Sequence, residues 1–199
     1  MSKELETIIA FVEGRLSGKA FAKQLSTNPK FKWILEDDPD RPPVSYVGKS
    51  VFSYLNQEDL SSFIGVMNSK SALGDYLNRK GIQAKPDTSE SDLYSLILSS
   101  QPNWLDVDID YVLNYMLPDA RALEGEFLKE WLQQEFKKRF RYVTEPPHWI
   151  QSPDWIMNEN RPLIFLGQFD VEGFFHDTAT VYTFYDEHTG SCETLIQVY

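Results

Sequence analysis

The sequence predicts an α+β protein, in which an N-terminal multi-helix region packs on a small, mainly antiparallel C-terminal β-sheet. Apolar residues recur at helical spacing before Glu145-Pro146-Pro147 and at strand-like spacing after it. The predicted strands number three, which is too few to be stable alone in water, so helices are expected to cover one face. We therefore divide the 199 residues into a helical region, 1–145, and a β-sheet region, 146–199. These are either two docked parts or one cooperative domain.

Three helices are predicted near the N-terminus from apolar spacing and capping signals. The first has one apolar face, formed by Leu5, Ile8, Ile9 and Val12. Gly14 is expected to end this helix, and a second helix follows Ser17. Asn28-Pro29 opens the third, because proline suits the first helical position. Residues 36–43 are predicted as a loop, since three prolines fall within five positions.

The middle of the chain predicts two further helices. Asn56-Gln57-Glu58-Asp59 is typical of a helix start, and the apolar pattern behind it continues to Gly81. Gly81 is suited to a left-handed helix cap. Ser89 and Asp92 have the spacing of a capping box, in which each side chain satisfies a backbone N–H of the first turn.

Two more helices are predicted before the strands begin. One runs from Asp108 to Pro118, and the longest helix of the chain is expected from about Asp119 to Phe140. The cations of Lys137-Lys138-Arg139 fall near the end of that helix, where they suit its dipole.

The C-terminal region predicts three strands. Residues 163–170 form a central strand, and residues 180–185 and 192–199 form a β-hairpin. The loop between the hairpin strands, residues 186–190, ends in Gly190, at a position where a positive φ is often needed.

Composition and charge exclude several classes of function. The chain has 30 acidic and 19 basic residues, a formal net charge of −11, whereas proteins that bind nucleic acid or anionic membranes need a basic face. The N-terminus does not resemble a signal peptide, and no apolar run approaches the roughly 20 residues of a membrane span. Cys192 is the single cysteine, interpreted as a small sheet residue rather than a nucleophile. These features predict a cytoplasmic protein.

No motif for catalysis, metal binding or cofactor binding stands out, so neither a metal nor a cofactor is predicted. The three histidines, His148, His176 and His188, lack metal-ligand spacing. The chain has no nucleophile elbow, phosphate-binding loop or dinucleotide fingerprint. The Asp106–Asp110 run has the opening spacing of a calcium loop, but Tyr111 stands where that loop needs glycine.

Residues 147–170 resemble the YwqG-like family of bacterial proteins. The matching positions of its P-L-x-F-L-x-Q-x-D strand are Pro162, Leu163, Phe165, Leu166, Gln168 and Asp170. The sequence departs from the family at Ile156 and Asn160, where proline and glycine are common. The resemblance implies a β-rich, bacterial, cytoplasmic module and carries no catalytic residues across. In overall style the chain is also similar to bacterial toxin-immunity proteins.

The charge distribution predicts a binding protein rather than an enzyme. Residues 146–199 carry eight acidic residues and one basic residue, Arg161. We expect this acidic face to neutralise a basic protein, such as a toxin domain, by occlusion and charge complementarity. The predicted partner-binding residues are Asp170, Glu172, Asp177, Asp186 and Glu187 for steering, with Trp149 and Trp155 as anchors. The alternative is a solvated acidic surface, with both tryptophans packed on the core.

Two other functions stay open on the sequence. A hydrolase-like enzyme would need Asp170, His176, Asp186 and His188 to converge within hydrogen-bond reach in a cleft. The second function is an accessory scaffold that has no ligand and can form a homodimer. Exposed tryptophans in a self-complementary patch would indicate it.

Overall fold

The structure is a computed structural model that describes residues 1–36, 50–171 and 178–198. The predicted α+β class is confirmed: in this part of the chain helices come first, and an antiparallel three-stranded sheet follows. The chain divides into two compact units, residues 1–92 and 93–199. The second unit thus combines the later helices with the sheet. Whether residues 1–145 and 146–199 fold as separate domains stays a prediction.

The first unit contains five helices among its described residues. They are α1 (Lys3–Val12), α2 (Gly18–Thr27), α3 (Lys30–Glu36), α4 (Val51–Leu55) and α5 (Phe63–Arg79). The expected start of α2 is confirmed, because the Ser17 hydroxyl accepts a hydrogen bond from the backbone N–H of Ala20. At the start of α3, the side-chain oxygen of Asn28 accepts a hydrogen bond from the backbone N–H of Lys30 at 3.1 Å. Glu36 ends α3, and the rest of the predicted 36–43 loop lies outside the described residues.

The predicted helix start at residues 56–59 is wrong. Asp59 instead accepts hydrogen bonds from both the N–H and the hydroxyl of Ser61, which closes a turn. The helix begins at Phe63, where the Ser62 hydroxyl accepts from the Gly65 N–H at 3.0 Å. Its predicted end is confirmed, since Gly81 has a φ of +66°.

Aromatic rings and one buried ion cluster stabilise the first unit. Phe11 stacks on Phe21 with ring centroids 4.3 Å apart. Lys70, on α5, donates to Asp87 and Glu90 at 2.7 Å each. Burial opposes the charge on Lys70, but these hydrogen bonds outweigh it and raise the pKa of the ammonium group.

The second unit begins within α6 (Ser89–Ser100). The predicted capping box of Ser89 and Asp92 is wrong, because Ser89 is already the first residue of the helix and Thr88 precedes it. The Thr88 hydroxyl donates to the Asp92 carboxylate at 2.7 Å. A short helix, α7 (Ile109–Tyr111), continues into a π-helical turn (Val112–Met116) and a 3₁₀ turn (Leu117–Ala120). This bears out the helix expected from Asp108.

The predicted continuous helix from Asp119 to Phe140 is wrong. Arg121 and Ala122 have φ of 50° and 61°, so the backbone turns there. The last helix, α8 (Gly125–Arg139), starts at a glycine with φ of 55° and has 15 residues. The 17-residue α5 is therefore the longer helix.

The sheet has the three predicted strands and the hairpin, but the prediction that residues 163–170 form the central strand is wrong. They form an edge strand, because the first strand of the hairpin pairs on both of its sides. A two-residue pair, β1 (Met157–Asn158) and β2 (Arg161–Pro162), precedes β3 (Ile164–Val171), β4 (Ala179–Asp186) and β5 (Ser191–Val198). The order β3-β4-β5 is antiparallel throughout. Gly190 has a φ of 71° in the hairpin loop, as predicted. The sequence predicted neither β1 nor β2.

One face of this sheet belongs to the core of the second unit. Phe165, Tyr182 and Phe184 are buried there together with Phe136 and Phe140 from α8 and its end. This agrees with the expectation that helices cover one face. The period-2 pattern of β4 decides which residues enter this core, since alternate side chains point to opposite faces.

Polar side chains of the sheet also hold residues 147–153. Gln168 donates to the His148 carbonyl and accepts from the His148 N–H. The Tyr182 hydroxyl donates to the same carbonyl and accepts from the Ile150 N–H, each at 3.0 Å. Gln197 makes the equivalent pair of bonds further along, to Gln151 and Ser152. These bonds satisfy a backbone that has no ladder of its own.

Candidate protein-binding surface

The two predicted anchor tryptophans pack against the second unit. Trp155 is buried and its indole N–H donates to the Leu163 carbonyl at 2.8 Å. Trp149 is half-buried, with its ring 4.5 Å from Tyr182 and its N–H bonded to the Trp104 carbonyl. Both indole N–H groups therefore have partners within the chain, and the packing alternative describes these residues better than a role as exposed anchors.

Asp186 organises the hairpin turn. It is only 3% exposed, and its carboxylate accepts from the Asn158 amide at 2.7 Å and from the His188 N–H at 2.9 Å. The hydrogen bond from Asn158 is the largest of the causes that lower the pKa of Asp186 to about 2. The Arg161 guanidinium, 3.8 Å away, lowers it further. A carboxylate in these surroundings has little surface to offer a partner.

The Asp186 geometry gives a testable pH dependence. Because its pKa is lower in the folded state, ionised Asp186 stabilises the fold above pH 3.8, and this contribution is lost as the pH falls from 3.8 toward about 2. We expect Asp186→Asn to be less stable than the wild type at pH 7, with the gap closing over that window. Urea unfolding at pH 7, 4, 3 and 2 measures the gap, with Glu193→Gln as the exposed control on β5. An equal gap at pH 7 and pH 2 would contradict the assignment.

The other predicted acidic residues are distributed as follows. Asp170 is exposed and accepts from the Thr180 hydroxyl at 2.7 Å. Glu187 is exposed in the hairpin loop and pairs with Arg141. Glu172 and Asp177 lie outside the described residues.

The residues that the enzyme hypothesis requires are not brought together where they are described. Asp170 faces Thr180 at one end of β4, and Asp186 is the last residue at its other end. Thr180 and Asp186 are six steps apart along the strand, a distance of about 20 Å. His176 lies outside the described residues. Within the described ranges, no group of three His, Cys, Asp or Glu side chains is placed to hold a metal ion.

The face of the sheet opposite the core has a different character, and we call it the outer sheet face. The β4 register places twelve residues on it: Ile164, Gly167, Phe169, Val171, Ala179, Val181, Thr183, Tyr185, Cys192, Thr194, Ile196 and Val198. None of these twelve positions carries a charged side chain. A quarter of the whole chain is charged, so a face of this size without charge stands apart from the rest of the surface.

The centre of the outer sheet face is apolar and is exposed on its two edge strands, whereas Val181 and Ala179 on the middle strand are buried. Phe169, Val181 and Ile196 lie side by side across the three strands. Phe169 is 58% exposed and Ile196 is 50% exposed. Val198, in the next row of the face, is 37% exposed. Exposed apolar clusters of this kind mark interaction surfaces.

Sequence reasoning did not identify this surface, although a signal was present. Residues 192, 194, 196 and 198 are alternate positions of β5, so their side chains point to one face, and none is charged. The register places Phe169 of β3 on the same face. This alternation alone does not say which face the helices cover. That choice depends on contacts with residues distant in the sequence, above all Trp155 and Phe140.

The charge imbalance of the chain belongs almost entirely to the second unit. Residues 93–199 contain 17 acidic and seven basic residues, a formal charge of −10, whereas residues 1–92 contain 13 and 12. Asp170 and Glu193 are exposed, but their register opposite Thr180 and Phe184 places both side chains on the other face of the sheet. Glu187 is exposed in the hairpin loop. The acidic residues of the described sheet therefore lie around the outer sheet face rather than on it.

Comparison of the chain with family models, curated proteins and solved structures found no match. The resemblance to the YwqG-like family therefore stays a prediction. Among the described residues, no helix combines the length and the apolar character that crossing a membrane requires.

Proposed function

We propose that the second unit is a non-enzymatic module that binds a basic protein through the outer sheet face. The closest functional description is a bacterial, cytoplasmic immunity protein that neutralises a toxin domain by occlusion and charge complementarity. The observation that carries the proposal is an uncharged apolar sheet face with Phe169 and Ile196 exposed, in a unit whose formal charge is −10.

The size of the outer sheet face fits the centre of an interface. Three strands of eight residues present an area of about 14 Å by 26 Å. A standard interface buries about 800 Å² on each partner, which is roughly twice that area. The apolar face would therefore supply the desolvated centre, with Phe169 and Ile196 as anchors, and the surrounding acidic surface would supply the rim.

Charge favours a basic partner over a second copy of this chain. Two copies of the unit would each bring a charge of −10 to the contact, and their repulsion opposes association. A cationic surface is instead attracted over about one Debye length, some 8 Å at physiological salt, and its encounter is accelerated.

The test removes the apolar centre without changing charge. Phe169→Thr combined with Ile196→Thr keeps two residues suited to strands and shortens both anchors. Immobilised wild-type protein should capture, from extracts of its source cells, a stoichiometric partner of basic isoelectric point whose toxicity it suppresses on co-expression. The double variant is expected to bind that partner about 100-fold more weakly, since two hot spots are lost.

Phe127→Thr is the matched control, because Phe127 is 74% exposed on α8 of the same unit and lies off the outer sheet face. It should bind like the wild type. Three outcomes would contradict the proposal: no basic partner, equal binding by the double variant, or an association rate that does not fall as salt is raised. A stable homodimer that the double variant dissociates would favour the scaffold function instead.

A further inference from the structure

A cleft of about 510 Å³ in the second unit lies beside the turn from β4 to β5. Four of the seven basic side chains of this acidic unit line it: Lys138, Arg139, Arg141 and Arg161. Its acidic lining residues are Asp186 and Glu187, so the lining has two more cations than carboxylates. Lys138 and Arg139 are paired with Glu135 and Asp119 outside the lining, so Arg141 and Arg161 are the cations whose charge the cleft offers to a ligand.

Arg139 is held in place at one wall of the cleft. Its guanidinium donates to Glu135 at 2.6 Å and to Asp119 at 2.9 Å. Burial opposes its charge, but its hydrogen bonds to Glu135 and to the Tyr111 hydroxyl outweigh this and raise the pKa of Arg139. The group is thus a charged donor whose rotamer is set before any ligand arrives.

Arg141 and Arg161 have donors that a ligand can use. Arg141 pairs with Glu187, but both side chains are about half exposed, and such surface pairs are weak and readily exchanged. Arg161 stands 3.8 Å from Asp186, beyond hydrogen-bond length. In the part of the chain that the structure describes, the carboxylate of Asp186 is bonded to Asn158 and His188, and Arg161 donates no side-chain hydrogen bond.

Tyr111 supplies a second, independent observation. It lines the cleft and is 92% buried, with a relative exposure of 8%. Arg139 interacts with the hydroxyl oxygen of Tyr111, but the hydroxyl hydrogen has no acceptor among the described residues. Buried polar groups are nearly always bonded, so a hydroxyl hydrogen without an acceptor in a cleft indicates a missing partner. Tyr111 also precedes a π-helical turn, a local irregularity that often occurs at functional sites.

We propose that this cleft binds the phosphate group of a small phosphorylated molecule. Arg141 and Arg161 present two guanidinium groups to the cleft, which suits the several oxygens of a phosphate group better than a single carboxylate. Arg161 and Arg141 would bind the phosphate oxygens in the bidentate manner of guanidinium groups, and the Tyr111 hydroxyl would donate to one of them. Pro162, Leu163 and Tyr185 would pack against the remainder of the ligand. A long polyanion is disfavoured, because beyond the cleft it would meet the carboxylates of the unit.

Inorganic pyrophosphate is the probe for this site, with acetate at equal ionic strength as the carboxylate comparison. Calorimetric titration at pH 7 should give a dissociation constant of about 1 mM or tighter for pyrophosphate and no saturation by acetate. Arg161→Gln should weaken pyrophosphate binding at least tenfold, the loss of one charge-assisted bidentate contact. Lys137→Gln is the control, since it removes the same charge from the neighbouring position of Lys138 without touching the cleft.

Two further variants shift the affinity in opposite directions. Glu187→Gln frees Arg141 from its partner and should tighten pyrophosphate binding. Tyr111→Phe should weaken it with little change in melting temperature, because the hydroxyl hydrogen has no acceptor in the described chain and Arg139 keeps Glu135 and Asp119. The assignment is overturned if pyrophosphate fails to saturate, if acetate binds as well, or if Arg161→Gln and Lys137→Gln bind alike. A stable Tyr111→Phe protein with unchanged affinity would also overturn the role of that hydroxyl.

Discussion

Replacement of Phe184 by alanine is expected to lower the free energy of unfolding of the second unit by about 3–5 kcal/mol. Phe184 is completely buried, with the rings of Phe165 and Trp155 at 5.3 and 5.4 Å and that of Trp149 at 6.4 Å. Three aromatic neighbours cannot all move into the space that the ring leaves, so a cavity remains. Urea unfolding followed by tryptophan fluorescence is the measurement, since four of the five tryptophans lie in this unit.

Phe169→Ala is the matched control for this prediction. Phe169 is on the same sheet and loses the same atoms, but it lies on the outer sheet face and is 58% exposed. We expect a change within about 1 kcal/mol, because most of its ring is already in contact with water. If both variants lost the same stability, the assignment of the two faces would be wrong.

Gly65→Ala is expected to destabilise the first unit by about 1–3 kcal/mol. A Cβ at Gly65 would stand 2.1 Å from the Asp59 carbonyl oxygen. That carbonyl cannot withdraw easily, because it accepts hydrogen bonds from both the N–H and the hydroxyl of Ser62 at 2.9 and 2.8 Å. Relief of the clash would therefore disturb the N-terminal cap of α5. Thermal unfolding followed by circular dichroism measures the loss.

Gly74→Ala, nine residues further along α5, should have the opposite sign. Nothing lies within 4 Å of a Cβ built at Gly74, and the position is in the interior of the helix. The substitution should stabilise the unit by about 0.5–1 kcal/mol, because alanine loses less backbone entropy on folding than glycine. A stability gain at Gly65, or a loss at Gly74, would contradict the packing of this helix.

Local signals predicted the elements of the fold well where the relevant contacts are short in sequence. The Ser17 cap, the positive φ at Gly81 and Gly190, and the β4–β5 hairpin all depend on neighbours within a few residues. The failures at Asp59 and at Arg121 have the same origin. In each case a turn interrupts an apolar pattern that would otherwise continue, and periodicity carries no information about the turn.

Sequence reasoning about the binding residues was less successful. Asp186 and Glu187 are adjacent acidic residues at the end of a strand and look equivalent in the sequence. In the fold, Asp186 is buried and accepts hydrogen bonds from Asn158 and His188, whereas Glu187 is exposed. Asn158 is 28 positions away, so no local pattern could have distinguished the two.

By itself the sequence determined the α+β class, the order of helices and strands, and the acidic character of the C-terminal part. These properties depend on composition and on periodicity, which are local. The tertiary structure alone decided which sheet face stays open and which cations meet in the cleft. Phe169 and Phe184 occupy opposite sides of the sheet, and Arg139 and Arg141 at the end of α8 meet Arg161 of β2 in the cleft. Such choices are made by contacts between residues far apart in the chain, which a linear pattern does not record.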